Sequence, residues 1–374
     1  MKILLISNMY PSADYPAYGI FVKKTADLLV EEGMELEPIV MYKQTALLQK
    51  ALAYVCHYIK IMWKLLFYSY DIIYVHYASH NALPILLIKL LKRKIKVYTN
   101  VHGSDVIPET SIQRLLQPFV HLLLKHSAFI IVPSVYFQNI IREKYRIATP
   151  IGVFPSGGIN REIFYPAEAE FSTLHLSPQY RYIGYVGRID YEKGWDDLVY
   201  SFSVLKRADA LPFVKLIMVG NGKNKKELQK QIQSLAIQDD VILFDFVSHE
   251  TLCLLYNIFE VFVFPTRRIG ESLGLVGLEA MSCGLPVIGS EIGGLTSYIL
   301  DKENGLFFQP GDREDLIEKL HDFLSYSEEK KEYMRKKAIE TAAPYEQHRI
   351  KEVFIKFFYK GVCYEETRNE NLSH

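Results

Sequence analysis

A chain of 374 residues exceeds what one hydrophobic core usually organises, and 49% hydrophobic against 23% charged side chains is material for two packed cores, not for a disordered polymer. Equal numbers of basic and acidic side chains, 43 Lys+Arg and 43 Asp+Glu, exclude the net positive charge of a dedicated nucleic-acid binder. The even total hides a gradient, because residues 1–165 hold 18 basic and 11 acidic groups and the remainder 25 and 32.

In chain order, MKILLISNMYP opens with an apolar run too short for a secretory signal and suited to a buried first strand. Short, β-branched apolar runs at 2–7, 36–42, 71–76, 95–101 and 128–134 predict the strands of the first half. Runs at 180–187, 213–220, 241–247, 260–266 and 285–290 predict those of the second. Longer helical patterns separate them, which is the signature of βα units around a parallel sheet. Two such sets predict an α/β chain of two Rossmann-like, doubly wound domains. The stretch 153–179, with Pro155, Pro166, Pro178 and the adjacent Gly157 and Gly158, reads as the crossover between them. Domains are therefore expected over 1–165 and 166–344. A terminal helix, about 345–374 and rich in Phe and Tyr near its start, needs a surface to dock on and is expected to return to the first domain.

Cys56, Cys253, Cys283 and Cys363 are far apart and form no Cys-x-x-Cys pair, so neither a zinc site nor a disulfide framework is expected. A reduced, cytoplasmic setting follows as an expectation. No run of about 18 uncharged apolar residues predicts a membrane span.

One window breaks the charge balance locally. Asp71 is the only acid between Glu37 and Asp105, whereas Lys43, Lys50, Lys60, Lys64, Lys89, Lys92, Arg93, Lys94 and Lys96 all fall there. Within it, residues 43–70 interleave lysines with Tyr54, Tyr58, Trp63, Phe67, Tyr68 and Tyr70. Two readings stand open: an amphipathic helix resting on an anionic membrane surface, or a core helix with a solvated lysine edge.

In an open α/β sheet ligands collect at the carboxyl ends of the strands, so residues just past each strand are the candidates. The first strand runs into a long loop ending at Gly19, where backbone can approach a ligand closely. The fourth runs into HGSDV, placing His102 and Asp105 at a strand end. In the second half, YVG is followed by RIDYEKG, which offers Arg188 and Lys193 to an anionic group from one loop. GNGKNK at 220–225 has Lys225 where a dinucleotide fingerprint needs glycine, and no Gly-Lys-Ser/Thr loop occurs.

The most informative stretch is GESLGLVGLEAMSCGLPVIGS, 270–290. On one continuous helix Glu271 and Glu279 would project roughly 80° apart. A helix that instead begins near Gly274 and stops at Gly284 leaves Glu271 in the loop and Glu279 on the second turn. Its free amide groups would then face a phosphate, with a carboxylate on either side for hydroxyls. Hydroxyls flanking a phosphate describe a nucleotide sugar. No Asp-x-Asp pair is present to hold a divalent ion against a diphosphate, so Arg188 and Lys193 would supply the charge themselves, with no metal or other cofactor expected.

These pieces resemble one family in its order: the Gly19 loop, HGSDV, PSGGIN before Phe164, YVGRIDYEKG, VGNG, ESLGLVGLEAMSCGLPVIGSEIGG and NGLFFQPGD. It is the large retaining glycosyltransferase family numbered four, whose two Rossmann-like domains face across a cleft in the arrangement called GT-B. The Glu-x7-Glu pair is the most specific match. The resemblance implies a nucleotide-sugar donor domain at 166–344 and an acceptor-side domain at 1–165. It implies that Glu279 binds ribose hydroxyls and Glu271 the transferred sugar, that Arg188 and Lys193 hold the diphosphate, and that the amides at Leu275 and Val276 meet phosphate. It further places Gly19 against the donor, His102 near the donor sugar and the point of attack, and the loop around Val247 beside the nucleobase. Asp105 is an acceptor-side candidate.

Asn160 and Ser156 stand where aspartate and asparagine are frequent, and Ser272 replaces a common glycine. The implied reaction moves a sugar from a UDP- or GDP-linked donor to a hydroxyl of a glycan or lipid-linked glycan, with retention, after closure excludes water and with a departing phosphate oxygen taking the acceptor's proton. Cell-envelope or capsular polysaccharide synthesis at the inner face of the membrane is the setting this suggests. A nucleotide-sugar 2-epimerase and a noncatalytic sugar-binding protein are the alternatives.

Overall fold

The computed structural model describes residues 1–92, 94–155, 157–208 and 213–360, which leaves Arg93, Ser156 and Cys363 outside the described residues. The chain divides into two compact units, Met1–Gly157 joined by the chain from His348, and Gly158–Gln347.

Unit 1 alternates strand and helix in the order β1 (Lys2–Tyr10), α1 (Ile20–Glu31), β2 (Glu35–Tyr42), α2 (Leu47–Phe67), β3 (Ile72–His76), α3 (Ala78–Leu91), β4 (Val97–Asn100), α4 (Ser111–Leu115), α5 (Gln117–Lys125), β5 (Phe129–Val132), α6 (Val135–Glu143) and β6 (Ile151–Val153). The strands form one parallel sheet ordered β2-β1-β3-β4-β5-β6. Ile3 to Ile6 are wholly buried, as a strand covered by helices on both faces requires, and pair in register with Leu36–Ile39 and Ile72–Val75. Because β1 lies between β2 and β3, winding reverses at β1 and β3. That makes their carboxyl ends the topological switch point.

Unit 2 repeats the plan with β7 (Arg181–Val186), α7 (Trp195–Arg207), β8 (Val214–Val219), α8 (Lys225–Ser234), β9 (Val241–Phe244), α9 (His249–Ile258), β10 (Phe259–Phe264), α10 (Leu275–Ser282), β11 (Val287–Ser290), β12 (Gly305–Phe308), α11 (Arg313–Ser325) and α12 (Glu328–Ala342). Its parallel sheet runs β12-β11-β10-β7-β8-β9, so winding reverses between β7 and β10. One core, around Trp195, Leu198, Phe202 and Phe323, covers one face of the sheet, and another, around Tyr256, Phe262, Leu278 and Tyr298, covers the other. Ser248, Asp312 and Ser327 cap α9, α11 and α12 by accepting first-turn N–H groups, which stops each helix where the pattern of apolar residues begins.

The dividing line falls ahead of the expected 165/166, and the cause is local. Ile159 bridges to Glu346, its N–H donating to Tyr345 and its carbonyl accepting from Gln347, while Phe164 is buried in the core of unit 2. The last helix, α13 (Gln347–Lys360), returns to unit 1, where Phe354, Phe357 and Phe358 meet Tyr74, Tyr98, Phe129 and Phe154 on one face of the sheet.

Candidate functional site

In unit 2 the reversal of winding brings the loops after β7 and β10 side by side. Gly194 makes the approach possible: its φ is +69°, and a Cβ there would lie 1.7 Å from the carbonyl oxygen of Pro265. The N–H of Arg267 donates to the carbonyl of Glu192 at 2.9 Å, pinning the two loops together. Behind them Arg267 and Arg313 both hold the carboxylates of Asp196 and Asp197 at the start of α7. This frame carries Lys193 to Glu271, Nζ to Oε2 at 2.6 Å, and Thr266 donates its hydroxyl to the same oxygen at 3.2 Å. Both partners are largely dehydrated, with side chains 14% and 9% exposed. Glu271 is therefore held at the head of the loop and does not point into bulk water.

Arg188 sits differently. Its side chain is 58% exposed and pairs with Asp190 at 2.7 Å and Glu192 at 2.8 Å. The two cations expected to turn together toward one anion are thus engaged with different carboxylates, and only Arg188 stands mainly in solvent. The helix expected near Gly274 is α10, with Gly274 as its left-handed N-cap at φ 78°. Leu275 and Val276 are its first residues, half-buried, and their amides have no acceptor within the helix. Tyr298 and Tyr256 donate to the carbonyls of Gly274 and Val276, each at 3.2 Å, bracing that helix start from behind. Glu279 is half-buried on the second turn.

Val247 is half-buried just past β9, beside the exposed Phe246. Asn160 accepts the N–H of Glu162 at 3.0 Å, a role an aspartate oxygen would fill equally. Ser272 lends its carbonyl to a contact so close that a Cβ on Gly294 would lie 2.3 Å from it.

In unit 1 Gly19 has φ 75° and presses on the end of β1, where a Cβ would lie 2.7 Å from the carbonyl carbon of Met9. His102 follows β4. Its Nε2 lies 2.9 Å from Nδ1 of His76, the last residue of β3, with the rings of Phe21 and Tyr77 packed around it. Burial pushes the His102 imidazole down to about 3 and that of His76 well below the usual histidine range. Asp105 requires a correction. It is fully buried and accepts N–H groups from His102 at 3.1 Å, Gly103 at 3.0 Å and Ala78 at 3.3 Å, so it organises the loop and is not presented to an acceptor. Burial raises its carboxyl to about 6 against those N–H groups, which favour the carboxylate. Among the described residues no cluster of three or more His, Cys, Asp or Glu is arranged to hold a metal ion.

Comparison with known proteins decides the class. Residues 22–158 match the model of glycosyltransferase family 4, and residues 167–341 that of the group 1 glycosyl transferases. The chain is a glycosyltransferase. It is 28% identical over 287 residues to the sulfoquinovosyl transferase of Arabidopsis thaliana, a match that covers 73% of this chain and 53% of the plant protein, so the glycosyltransferase described here aligns with about half of that relative. The fold is that of the sucrose-phosphate synthase from Thermosynechococcus elongatus, at TM-score 0.75 and 20% identity over 96% of this chain and 98% of the other. It is likewise that of Anabaena HepE, crystallised in complex with UDP, at TM-score 0.73 and 18% identity over 96% and 100%. These likenesses establish the two-domain GT-B architecture.

Thr266, His76, Phe21 and Tyr77 were not among the residues the sequence singled out. Thr266 and His76 carry the same signal as the others, a polar side chain at the carboxyl end of a strand. Phe21 and Tyr77 carry no such mark.

Proposed function

We propose that this glycosyltransferase moves a sugar, with retention, from a nucleoside-diphosphate donor bound on unit 2 to a hydroxyl of a glycan or lipid-linked glycan. The observation that carries this reading is the dehydrated Lys193–Glu271 pair at the reversal of winding in unit 2, with Arg188 exposed on the same loop. Of the two partners of Arg188 only Glu192 is exposed, and such a surface pair is worth about 0–1 kcal/mol, so exchanging Glu192 for a phosphate oxygen costs little. Lys193 keeps Oε2 of Glu271 fixed, leaving Oε1 to accept from a sugar hydroxyl. Glu279 takes ribose hydroxyls, the amides of Leu275 and Val276 take phosphate, and the loop at Val247 borders the base. The cations and amides stabilise the leaving diphosphate in place of a metal ion. His102 and Gly19 enter through the family resemblance, His102 toward a hydroxyl at the reacting centre.

The acceptor is proposed to be lipid-linked and to lie at an anionic membrane surface, as in envelope polysaccharide synthesis on the cytoplasmic leaflet. Support comes from α2, in which only His57, Ile61 and Leu65 are buried while Leu48, Leu52, Val55, Ile59, Trp63 and Phe67 are exposed at helical spacing. The helix thus has a second apolar face, which a purely core role does not need. A groove of about 430 Å³ between α3 and α5 is also apolar, with Leu87, Leu90 and Leu122 exposed there. Lys50 and Lys60 stand exposed among these side chains, and α2 has no acid. No helix among the described residues is long and apolar enough to cross a membrane.

Product stereochemistry tests the reaction. NMR of the glycoside formed from a matched donor and acceptor should report the donor's anomeric configuration, and inversion would overturn the retaining mechanism. An epimer formed from donor alone would replace transfer by isomerisation.

A further inference from the structure

The histidine behind His102 fixes what His102 can do. His76 is wholly buried, and its two ring nitrogens have different partners: Nδ1 lies 2.9 Å from Nε2 of His102, and Nε2 lies 3.3 Å from Oγ1 of Thr25. Thr25 has one hydroxyl proton. That proton is committed, because Oγ1 lies 2.8 Å from the carbonyl oxygen of Val22, an atom that only accepts. Oγ1 must then accept from His76, which places the His76 proton on Nε2 and leaves Nδ1 as a lone pair. The contact to His102 closes only if His102 donates from its own Nε2. Running the chain the other way would turn the Thr25 hydroxyl toward His76 and set two oxygen lone pairs against each other at 2.8 Å.

A neutral His102 protonated at Nε2 keeps Nδ1 bare. His102 is half-buried, and among the described residues none hydrogen-bonds to its Nδ1. The surroundings hold both rings uncharged. Phe21 and Tyr77 flank His102, Tyr74 packs edge-on against His76, and the neighbouring carboxylate of Asp105 is occupied with backbone N–H groups.

We propose that His76, backed by Thr25, is a positioning residue that locks His102 as the Nε2–H tautomer, so that His102 meets its ligand at Nδ1 as a hydrogen-bond acceptor. The ligand group it takes is then a hydroxyl of the sugar or of the acceptor. A phosphate or carboxylate oxygen offers nothing to a bare lone pair, and His102 is no general acid. This rests on the reading of His102 as a substrate-facing residue.

Two measurements test it. In protein labelled with ¹⁵N-histidine, long-range proton–nitrogen correlations should find His102 protonated at Nε2 alone and neutral from pH 8 to pH 5. Protonation at Nδ1, or an imidazolium in that range, would overturn the proposal without touching the assignment of the enzyme. In steady-state transfer assays, His76→Phe should lower kcat roughly tenfold, the worth of one well-placed hydrogen bond, with donor KM nearly unchanged. His76→Asn, whose amide oxygen can accept from Nε2–H, should restore much of the loss. Unchanged kcat in His76→Phe would overturn the positioning role. Should that variant fold poorly, Thr25→Val gives the same reading: loss of the acceptor for His76 should mix the His102 tautomers in the nitrogen spectrum, and a single unaltered tautomer would contradict the relay. Absence of transfer by the unmodified enzyme would instead defeat the functional reading, with the nitrogen spectrum still deciding the tautomer.

Discussion

The two units share a winding plan and differ in the chemistry at its turning point. In unit 1 the reversal at β1 and β3 gathers neutral, aromatic groups: His76, His102, Phe21 and Tyr77. In unit 2 the reversal between β7 and β10 gathers charges, with Arg188 exposed, Lys193 and Glu271 paired and dehydrated between the loops, and Arg267, Arg313, Asp196 and Asp197 behind them. The outer surfaces differ in the same direction, since unit 1 exposes the apolar face of α2. One architecture thus offers two solvents, a polar one suited to a diphosphate and an apolar one suited to a ring or a lipid. What the strand ends carry, and not the winding, sets that choice.

The sharpest way to break this contrast is to remove charge from unit 2. Lys193→Ala leaves Glu271 dehydrated and unpaired by any cation, which costs on the order of 3 kcal/mol of stability, and it deletes a group that stabilises the leaving diphosphate. Transfer should fall roughly 100- to 1000-fold, checked by donor turnover alongside thermal melts. The complementary change in unit 1 is to its surface. Ile59→Asp with Trp63→Asp should abolish most co-sedimentation with phosphatidylglycerol vesicles at low salt, on the order of tenfold or more, while the fold is retained because both side chains are exposed. Equal binding by the parent and the double variant would remove the membrane from the account.

Acid should separate the units by stability. His57, His76, His80 and His102, all in unit 1, have imidazoles lowered by burial. Each is neutral when folded and protonates when unfolded, so its stabilisation is present above about 6.5 and is lost as pH falls toward the folded value, about 3 for His102. From pH 6.5 to 5 the loss is at most about 2 kcal/mol for His102, and the other three act in the same direction. Asp105, raised to about 6, works in the opposite sense, gaining stability as pH falls from 6 to its unfolded value of 3.8, but it is one group against four. Hydrogen exchange at pH 7.5 and pH 5 should show protection lost in unit 1 first. The smallest expected effect belongs to Asn160→Asp, which keeps the acceptor for Glu162 and should change stability by less than about 0.5 kcal/mol in a denaturant titration.

Much of this was legible in the order of residues, for reasons that can be located. Apolar β-branched runs marked ten strands because both faces of a parallel sheet are buried. Strands β6 and β12 escaped because each carries a glycine, Gly152 and Gly305, and neither offers an unbroken β-branched run. The start of α10 at Gly274 could be placed from glycine spacing, and that glycine takes a left-handed φ of 78° that other residues seldom adopt. Pairing was not legible. Lys193 and Glu271 are separated by 78 positions, and nothing local says that the cation is held by that carboxylate and not open to a ligand. His76 was passed over because its partner comes from another strand, 26 positions on. Asp105 looked like a site residue beside His102, whereas depth in the sheet decided its role.

The central claim, that the loops of unit 2 grip a nucleoside diphosphate without a metal ion, is tested most directly by calorimetric titration of UDP and of GDP into the protein in EDTA, repeated with Arg188→Ala and Glu279→Ala. One of the two nucleotides should bind, with affinity reduced roughly tenfold or more in each variant. Saturable binding that ignores both substitutions, or binding of neither nucleotide, would contradict it.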